Sequence, residues 1–242
     1  MPARVEIRVL NSPAELFRAA AEEFSKRAEA AVQHHGNFTV ALSGGSTPRG
    51  LNEVLAGSDF ASLPWDKILF FWGDERHVPP DHGDSNYRMS QESLLSKVPV
   101  RQQNIFRIRA EDPDATRAAV DYERVITRIF GLQQGEFPRF DLILLGIGTE
   151  GHTASLFPGS AAMGEEVRLV VSNWVEKLQT ERITLTFPVL NHAACVMFLA
   201  SGREKADIVQ KILGDSTEVL PAKMVQPFDG DLVWFLDKAA RP

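Results

Sequence analysis

The sequence predicts an α/β protein with a mostly parallel sheet and helices on both faces. Three observations carry that expectation. Short apolar runs alternate with stretches of helical periodicity along the chain. Several of those runs, such as Phe140-Asp141-Leu142-Ile143-Leu144-Leu145, are nearly solid, as strands buried on both faces must be. The residues after several runs are rich in glycine, hydroxyl and charged side chains, and such sheets bind ligands at the carboxyl ends of their strands. With no repeat, low-complexity tract or long linker, residues 1–242 are expected to form one domain.

The elements follow in order. Arg4, Glu6 and Arg8 alternate with Val5, Ile7 and Val9, a strand pattern rather than a signal peptide. Ser12-Pro13-Ala14-Glu15 reads as a capping box with proline at the first helical position. Phe17, Ala20, Phe24, Ala28 and Ala31 then give the helix one apolar face, and Gly36 stops it. Phe38 to Leu42 is a buried strand, Thr47-Pro48 opens a helix that Gly57 closes, and Lys67 to Trp72 is the next strand. A strand is expected over 104–108, and Asp112-Pro113 is expected to cap a helix running to Gly131. Strands are then expected over 140–145, 167–172, 182–187, 194–200 and 232–236, with a helix over 202–213.

Composition narrows the function. Hydrophobic content of 44% and charged content of 24% are ordinary for a globular protein. A net charge of −6 argues against a general nucleic-acid surface. An anionic ligand would therefore need cations gathered in one site. The single cysteine, Cys195, lies in an apolar run, so no internal disulfide forms and a reducing, cytoplasmic setting is expected. No run approaches the ~18 apolar residues of a membrane span. His34, His35, His77, His82, His152 and His192 show no metal-ligand spacing, and there is neither an H-E-x-x-H nor a G-x-S-x-G motif.

Chemistry concentrates at three strand exits. After Leu42 come Ser43, Gly44, Gly45, Ser46 and Thr47, then a helix start. Free backbone N–H groups, hydroxyls and a helix N-terminus together make an anion cradle. The ending Gly-Lys-Ser/Thr of a Walker loop is absent. After Trp72 come Gly73, Asp74, Glu75 and Arg76. Such a charged run is usually a solvated loop, but it can also set Asp74 on a sugar hydroxyl or water and Arg76 on phosphate. After Leu145 come Gly146, Gly148, Glu150, Gly151 and His152. The glycines match G-x-G-x-x-G, but that fingerprint needs a crossover helix next, and Pro158-Gly159 interrupts. A histidine after three strand-end glycines suits acid–base chemistry, and Glu150 can orient its ring. Without a nucleophile motif, attack by an activated water is the natural hydrolytic route. Arg182 and Lys205 are further cations at the edges of later strands.

Three blocks and a fourth segment now carry a resemblance. Ser43-Gly44-Gly45-Ser46-Thr47-Pro48, Gly73-Asp74-Glu75-Arg76, His152-Thr153-Ala154-Ser155-Leu156-Phe157-Pro158-Gly159 and Arg182-Ile183-Thr184-Leu185-Thr186 resemble the 6-phosphogluconolactonase family. The first two are shared more loosely with glucosamine-6-phosphate deaminases. The resemblance spans nearly the whole chain. It implies a Rossmann-like sheet, no cofactor, and hydrolysis of 6-phosphoglucono-1,5-lactone to 6-phosphogluconate in the oxidative pentose phosphate pathway. On that reading His152 activates water, Glu150 orients it and Asp74 places water or sugar hydroxyls. Ser43, Gly44, Gly45, Ser46 and Thr47 cradle the phosphate, clamped by Arg76, Arg182 and Lys205. The family usually has aspartate where this chain has Glu150, so the carboxylate stands one methylene further out. The expected partner is a small sugar-phosphate lactone, without nucleic acid or membrane, bound by a monomer or weak homo-oligomer. The alternatives are a deaminase or isomerase acting on an amino-sugar phosphate, a nicotinamide-dependent oxidoreductase, and a non-catalytic sugar-phosphate binder.

Overall fold

A computed structural model describes residues 4–241. The first half of the chain contains β1 (Arg4–Leu10), α1 (Pro13–His35), β2 (Phe38–Leu42), α2 (Ser46–Leu55), β3 (Ile68–Trp72), β4 (Asp74–Arg76), α3 (Asn86–Ser90) and α4 (Ala115–Phe130). The second half contains β5 (Leu142–Leu145), β6 (Val170–Val175), β7 (Thr180–Leu185), α5 (Phe187–Asn191), β8 (Cys195–Ala200), α6 (Ala206–Leu213), α7 (Pro221–Met224) and β9 (Asp231–Asp237). Six strands form one parallel sheet in the order β1-β9-β8-β5-β2-β3. The remaining three form a small antiparallel sheet, β4-β7-β6.

The chain reverses direction across the parallel sheet. From β1 through β2 to β3 it moves one way; from β3 through β5 and β8 to β9 it moves back. Right-handed crossovers then put α1 and α2 on one face and α4 and α6 on the other. β2, between them, is buried along its whole length, as a strand covered on both faces must be. The switch point lies between β2 and β5, and their carboxyl ends open into the cleft described below.

Local signals set the helix ends. Ser12 Oγ accepts from the N–H of Glu15 at 3.2 Å, while the Glu15 carboxylate reaches back to the N–H of Asn11 at 3.1 Å, one residue beyond the expected box partner. Gly36 ends α1 at φ 90°, its N–H donating to Val32 O. The core is aromatic: Phe71 packs on Phe106 and Phe140 at centroid distances of 4.9 and 5.2 Å, and Phe198 stacks on its register partner Trp234 at 4.0 Å. Burying one such ring is worth about 1.5–3 kcal/mol. Tyr122 of α4 closes the β3 edge; its hydroxyl accepts from Trp72 N–H at 2.8 Å and donates to Trp72 O at 3.2 Å. Burial holds that phenol well above its usual pKa.

The structure corrects several expectations. Residues 104–108 form no strand; Gln102–Asn104 is a 3-10 turn and Ile105 makes a single bridge to Phe70. The cap of α4 is Asp114, which accepts from Thr116 and Arg117 N–H at 2.9 and 3.2 Å; Asp112 instead holds the Arg117 side chain. The strands expected over 167–172 and 182–187 are shifted and pair antiparallel, outside the parallel sheet. The segment expected to be one helix over 202–213 starts as a 3-10 turn, Arg203–Lys205. Among the described residues no helix is long and apolar enough to cross a membrane.

Candidate active site

A cleft of about 220 Å³ opens at the switch point, lined by Ser43, Gly44, Gly45, Asp74, Arg76, Gly146, Ile147, Gly148, His152, Ala154 and Lys205. Larger hollows exist, including one of about 540 Å³ around His34, His35 and Asp141. That hollow lies at the amino ends of the strands, away from the gathered charges.

β2 delivers the first wall. Gly45 precedes α2 with φ 103°, a conformation that favours glycine, and no side chain caps the helix. The first turn of α2 therefore keeps free N–H donors, and Pro48 at the third position removes one that would otherwise be unpaired. Ser43 is 5% exposed and its Oγ has no hydrogen-bond partner among the described residues, so a buried hydroxyl stands at the cleft. Ser46 and Thr47 stand at the helix start but are not among the residues that line the cleft.

β5 delivers the second wall. Gly151 N–H donates to Gly148 O, and Gly148 N–H donates to His152 O, both at 2.9 Å, which curls the loop back on itself. A Cβ on Gly148 would lie 2.0 Å from His152 Nδ1, so only glycine leaves room for the ring. No helix follows; the chain turns until a 3-10 segment at Ala161–Gly164, so the crossover that a dinucleotide fingerprint requires is missing. The hydroxyls of the block after His152 brace the loop. Thr153 Oγ1 donates to Gly146 O at 2.9 Å, and Ser155 Oγ donates to Asp74 Oδ2 at 2.6 Å. Ala154, between them, has φ 46°, a strained position for a residue with a Cβ.

His152 stacks on Phe157 at 4.2 Å between ring centroids. Glu150 Oε2 approaches His152 Nδ1 at 3.2 Å, but off the hydrogen-bond line, so Nδ1 has no aligned partner. Burial pushes the imidazole below its ordinary pKa; Glu150 and Asp74 pull it up and Lys205 pushes it down. The ring is therefore neutral at neutral pH. Burial raises the Glu150 carboxyl, but its own N–H, His152 and Lys177 outweigh that and hold it below the usual carboxylate range. Lys177 Nζ lies 3.3 Å from Glu150 Oε1.

The small sheet supplies the third wall. Asp74 is 6% exposed; Asn86 Nδ2 donates to its Oδ1 at 3.2 Å while Ser155 holds the other oxygen. Glu75 turns away from the cleft. It accepts from Arg76, Asn86 and Tyr87 N–H at 2.8, 2.7 and 2.8 Å and from Ser85 Oγ at 3.1 Å, and so ties β4 to α3. Burial raises its pKa despite those donors. Arg76 and Arg182 are direct register partners on β4 and β7, so both project from one face of the sheet. Burial and the neighbouring Arg76 push the Arg182 guanidinium down, against the pull of Asp74 and Asp84. Arg76 donates to Asp84 O at 2.9 Å, and Lys205 to Ile147 O at 2.9 Å. The ion pairs beside the cleft both use Glu150; among the described residues none takes Arg76, Arg182 or Lys205.

Gly146 and Gly148, expected at the strand exit, line the cleft, whereas sequence reasoning missed Ile147 and Ala154 as lining residues, and Asn86, Ser155 and Lys177 as supports. Asn86 and Lys177 carry no local signal, since they reach the site from other strands and loops. Ser155 stands in a block already quoted, but its partner Asp74 is distant in sequence.

Fold and site together define an α/β protein with a basic cleft and a neutral histidine at the topological switch point. The comparisons with known proteins give the family. The family described as glucosamine-6-phosphate isomerases/6-phosphogluconolactonase matches residues 11–234, and the chain belongs to it. A 6-phosphogluconolactonase from Nostoc sp. is 38% identical over 236 residues, 97% of this chain and 96% of that protein. One from Synechocystis sp. is 41% identical over 87% of this chain and 86% of its own length. The solved 6-phosphogluconolactonase from Trypanosoma cruzi superposes with TM-score 0.89 at 34% identity, covering 99% of this chain and 97% of that one.

Proposed function

We propose that this chain, as a single domain, hydrolyses 6-phosphoglucono-1,5-lactone to 6-phosphogluconate in the oxidative pentose phosphate pathway. One observation carries the reading. A neutral, half-buried imidazole faces a cleft lined by Arg76 and Lys205, with Arg182 beside Arg76 on β7, and among the described residues none of the three has a carboxylate ion-pair partner. Full-length relatives named for that activity support it.

The phosphate binds Arg76, Arg182 and Lys205 together with the free donors around Ser43, Gly44, Gly45, Ser46 and Thr47. This clamp turns the lactone carbonyl toward His152. Glu150 lies beside Nδ1 and stabilises the charge that develops on the ring, which leaves Nε2 for the water. His152 takes a proton from that water as its oxygen bonds to C1. The C1–ring-oxygen bond then breaks, and His152 returns the proton to the leaving oxygen. Backbone N–H groups of the glycine-rich exits steady the intermediate oxyanion. Asp74, fixed by Ser155 and Asn86, positions water or sugar hydroxyls. No step needs a cofactor or metal. The reaction belongs in the cytoplasm, where a lone cysteine needs no disulfide partner; Cys195 is buried and its thiol is pushed up to about 12.

Acid release from the lactone in a pH-stat, measured against the spontaneous hydrolysis without protein, tests the reading. Rate above that background supports it. Ammonia from glucosamine 6-phosphate with no effect on the lactone would replace it by deamination.

A further inference from the structure

The two edges of the parallel sheet are finished differently. The chain itself closes the β3 edge: Phe106 N–H donates to Phe70 O at 2.8 Å, and Tyr122 takes both backbone groups of Trp72. The β1 edge has no such cover. Among the described residues, the backbone groups of β1 that face away from β9 have no partner. Val5 and Ile7 are 58% and 49% exposed and border an apolar groove of about 490 Å³ that includes Ile212, Val225 and Leu232. A bare edge of this kind is a template for another strand.

The order of side chains selects which strand. Antiparallel pairing of β1 with a second β1 about a two-fold axis at Ile7 sets Ile7 against Ile7, Val5 against Val9 and Glu6 against Arg8. Val5, Ile7 and Val9 of both copies then form one β-branched face beside the grooves. On the opposite face each Glu6 gains an Arg8 from the other copy, and Arg8 keeps its own contacts with Glu6 and Glu23 at 2.7 and 3.0 Å. A register centred on Glu6 instead opposes Glu6 with Glu6 and Arg4 with Arg8, which is unfavourable. We propose that a second copy of this chain docks on β1 in the Ile7-centred register, joining the two parallel sheets into one. The cleft between β2 and β5 lies away from this edge, so each copy keeps an open site.

Sedimentation equilibrium from micromolar to millimolar protein tests the proposal. The average mass of the wild-type chain should rise toward twice that of one chain, while Ile7→Lys should hold the single-chain mass with unchanged kcat and KM. Under mild oxidation Ile7→Cys should form a disulfide-linked dimer, because the position faces itself. Val167→Cys, 79% exposed in the loop before β6, should not. The native Cys195 is buried and does not compete. A wild-type chain that keeps one mass throughout, an Ile7→Lys variant that still dimerises, or equal crosslinking at Val167→Cys would each overturn it.

Discussion

The parallel and antiparallel sheets reach the same cleft by different means. From the parallel sheet come loop groups: glycines, backbone donors, one hydroxyl and one imidazole past the ends of β2 and β5, and Lys205 past β8. The antiparallel sheet contributes charged side chains held on the strands themselves, with Asp74 and Arg76 on β4 and Arg182 on β7. A loop can bend to meet reacting atoms. A strand pair fixes two like charges side by side at a cost that only an anion repays. The imidazole and the paired arginines are thus built on separate scaffolds, and mutations at the two should separate kinetically.

The largest effect is expected at the imidazole. His152→Ala should lower kcat by about 10²–10⁴-fold with little change in KM, measured by initial rates corrected for spontaneous hydrolysis. A near-normal kcat would remove the base from the parallel sheet. Gly148→Ala should do much of the same damage without touching a titratable group, because its Cβ would occupy the position of the ring. Gly164→Ala, outside the cleft and with nothing within 4 Å of its Cβ, is the control and should be nearly silent.

Next comes the grip. Hydrogen bonds to a charged group are worth about 1.5–3 kcal/mol, so Arg182→Ala should lower kcat/KM by about 10- to 100-fold, mainly through KM. If the loss fell on kcat instead, the division between sheets would fail. A smaller effect should appear in the pH profile. Because burial lowers the His152 pKa, kcat/KM should hold on going to acid until below the pH where a solvated histidine would protonate. Glu150 opposes that shift, so Glu150→Gln should move the acid limb lower still while reducing the plateau. A limb that moved upward would show that Glu150 does not act on the ring. The smallest kinetic effect is expected at Tyr122→Phe, which leaves Trp72 backbone groups buried and unpaired. It should cost about 1–3 kcal/mol in denaturant unfolding with kcat and KM unchanged.

Much of the parallel sheet was legible because its signals are local. The solid apolar runs, Ser12 before Pro13, and Gly36 and Gly131 after their helices each act within a few residues. The antiparallel sheet was not legible. Residues 74–76 read as a charged strand exit rather than a strand, the other two strands read like those of the parallel sheet, and pairing partners from distant parts of the chain decide orientation. The site divided in the same way. The glycines and His152 stand at a visible strand exit, whereas the side-by-side placement of Arg76 and Arg182 follows from a register that no spacing encodes. Glu75 shows the reverse case: it looks reactive beside Asp74 but serves as an internal anchor.

Asp74 has a consequence for turnover. Ser155 and Asn86 pin its carboxylate in the wall of the cleft, almost shielded from water. A lactone arrives with an uncharged carbonyl, which that wall tolerates. Ring opening converts the same carbon into a second anion, while the phosphate gripped by the arginines is unchanged. On the proposed reaction, the newly made carboxylate is repelled by a fixed negative neighbour, so the chemistry itself loosens the product. The cleft then distinguishes what enters from what leaves by charge at one end, although it holds both by the other.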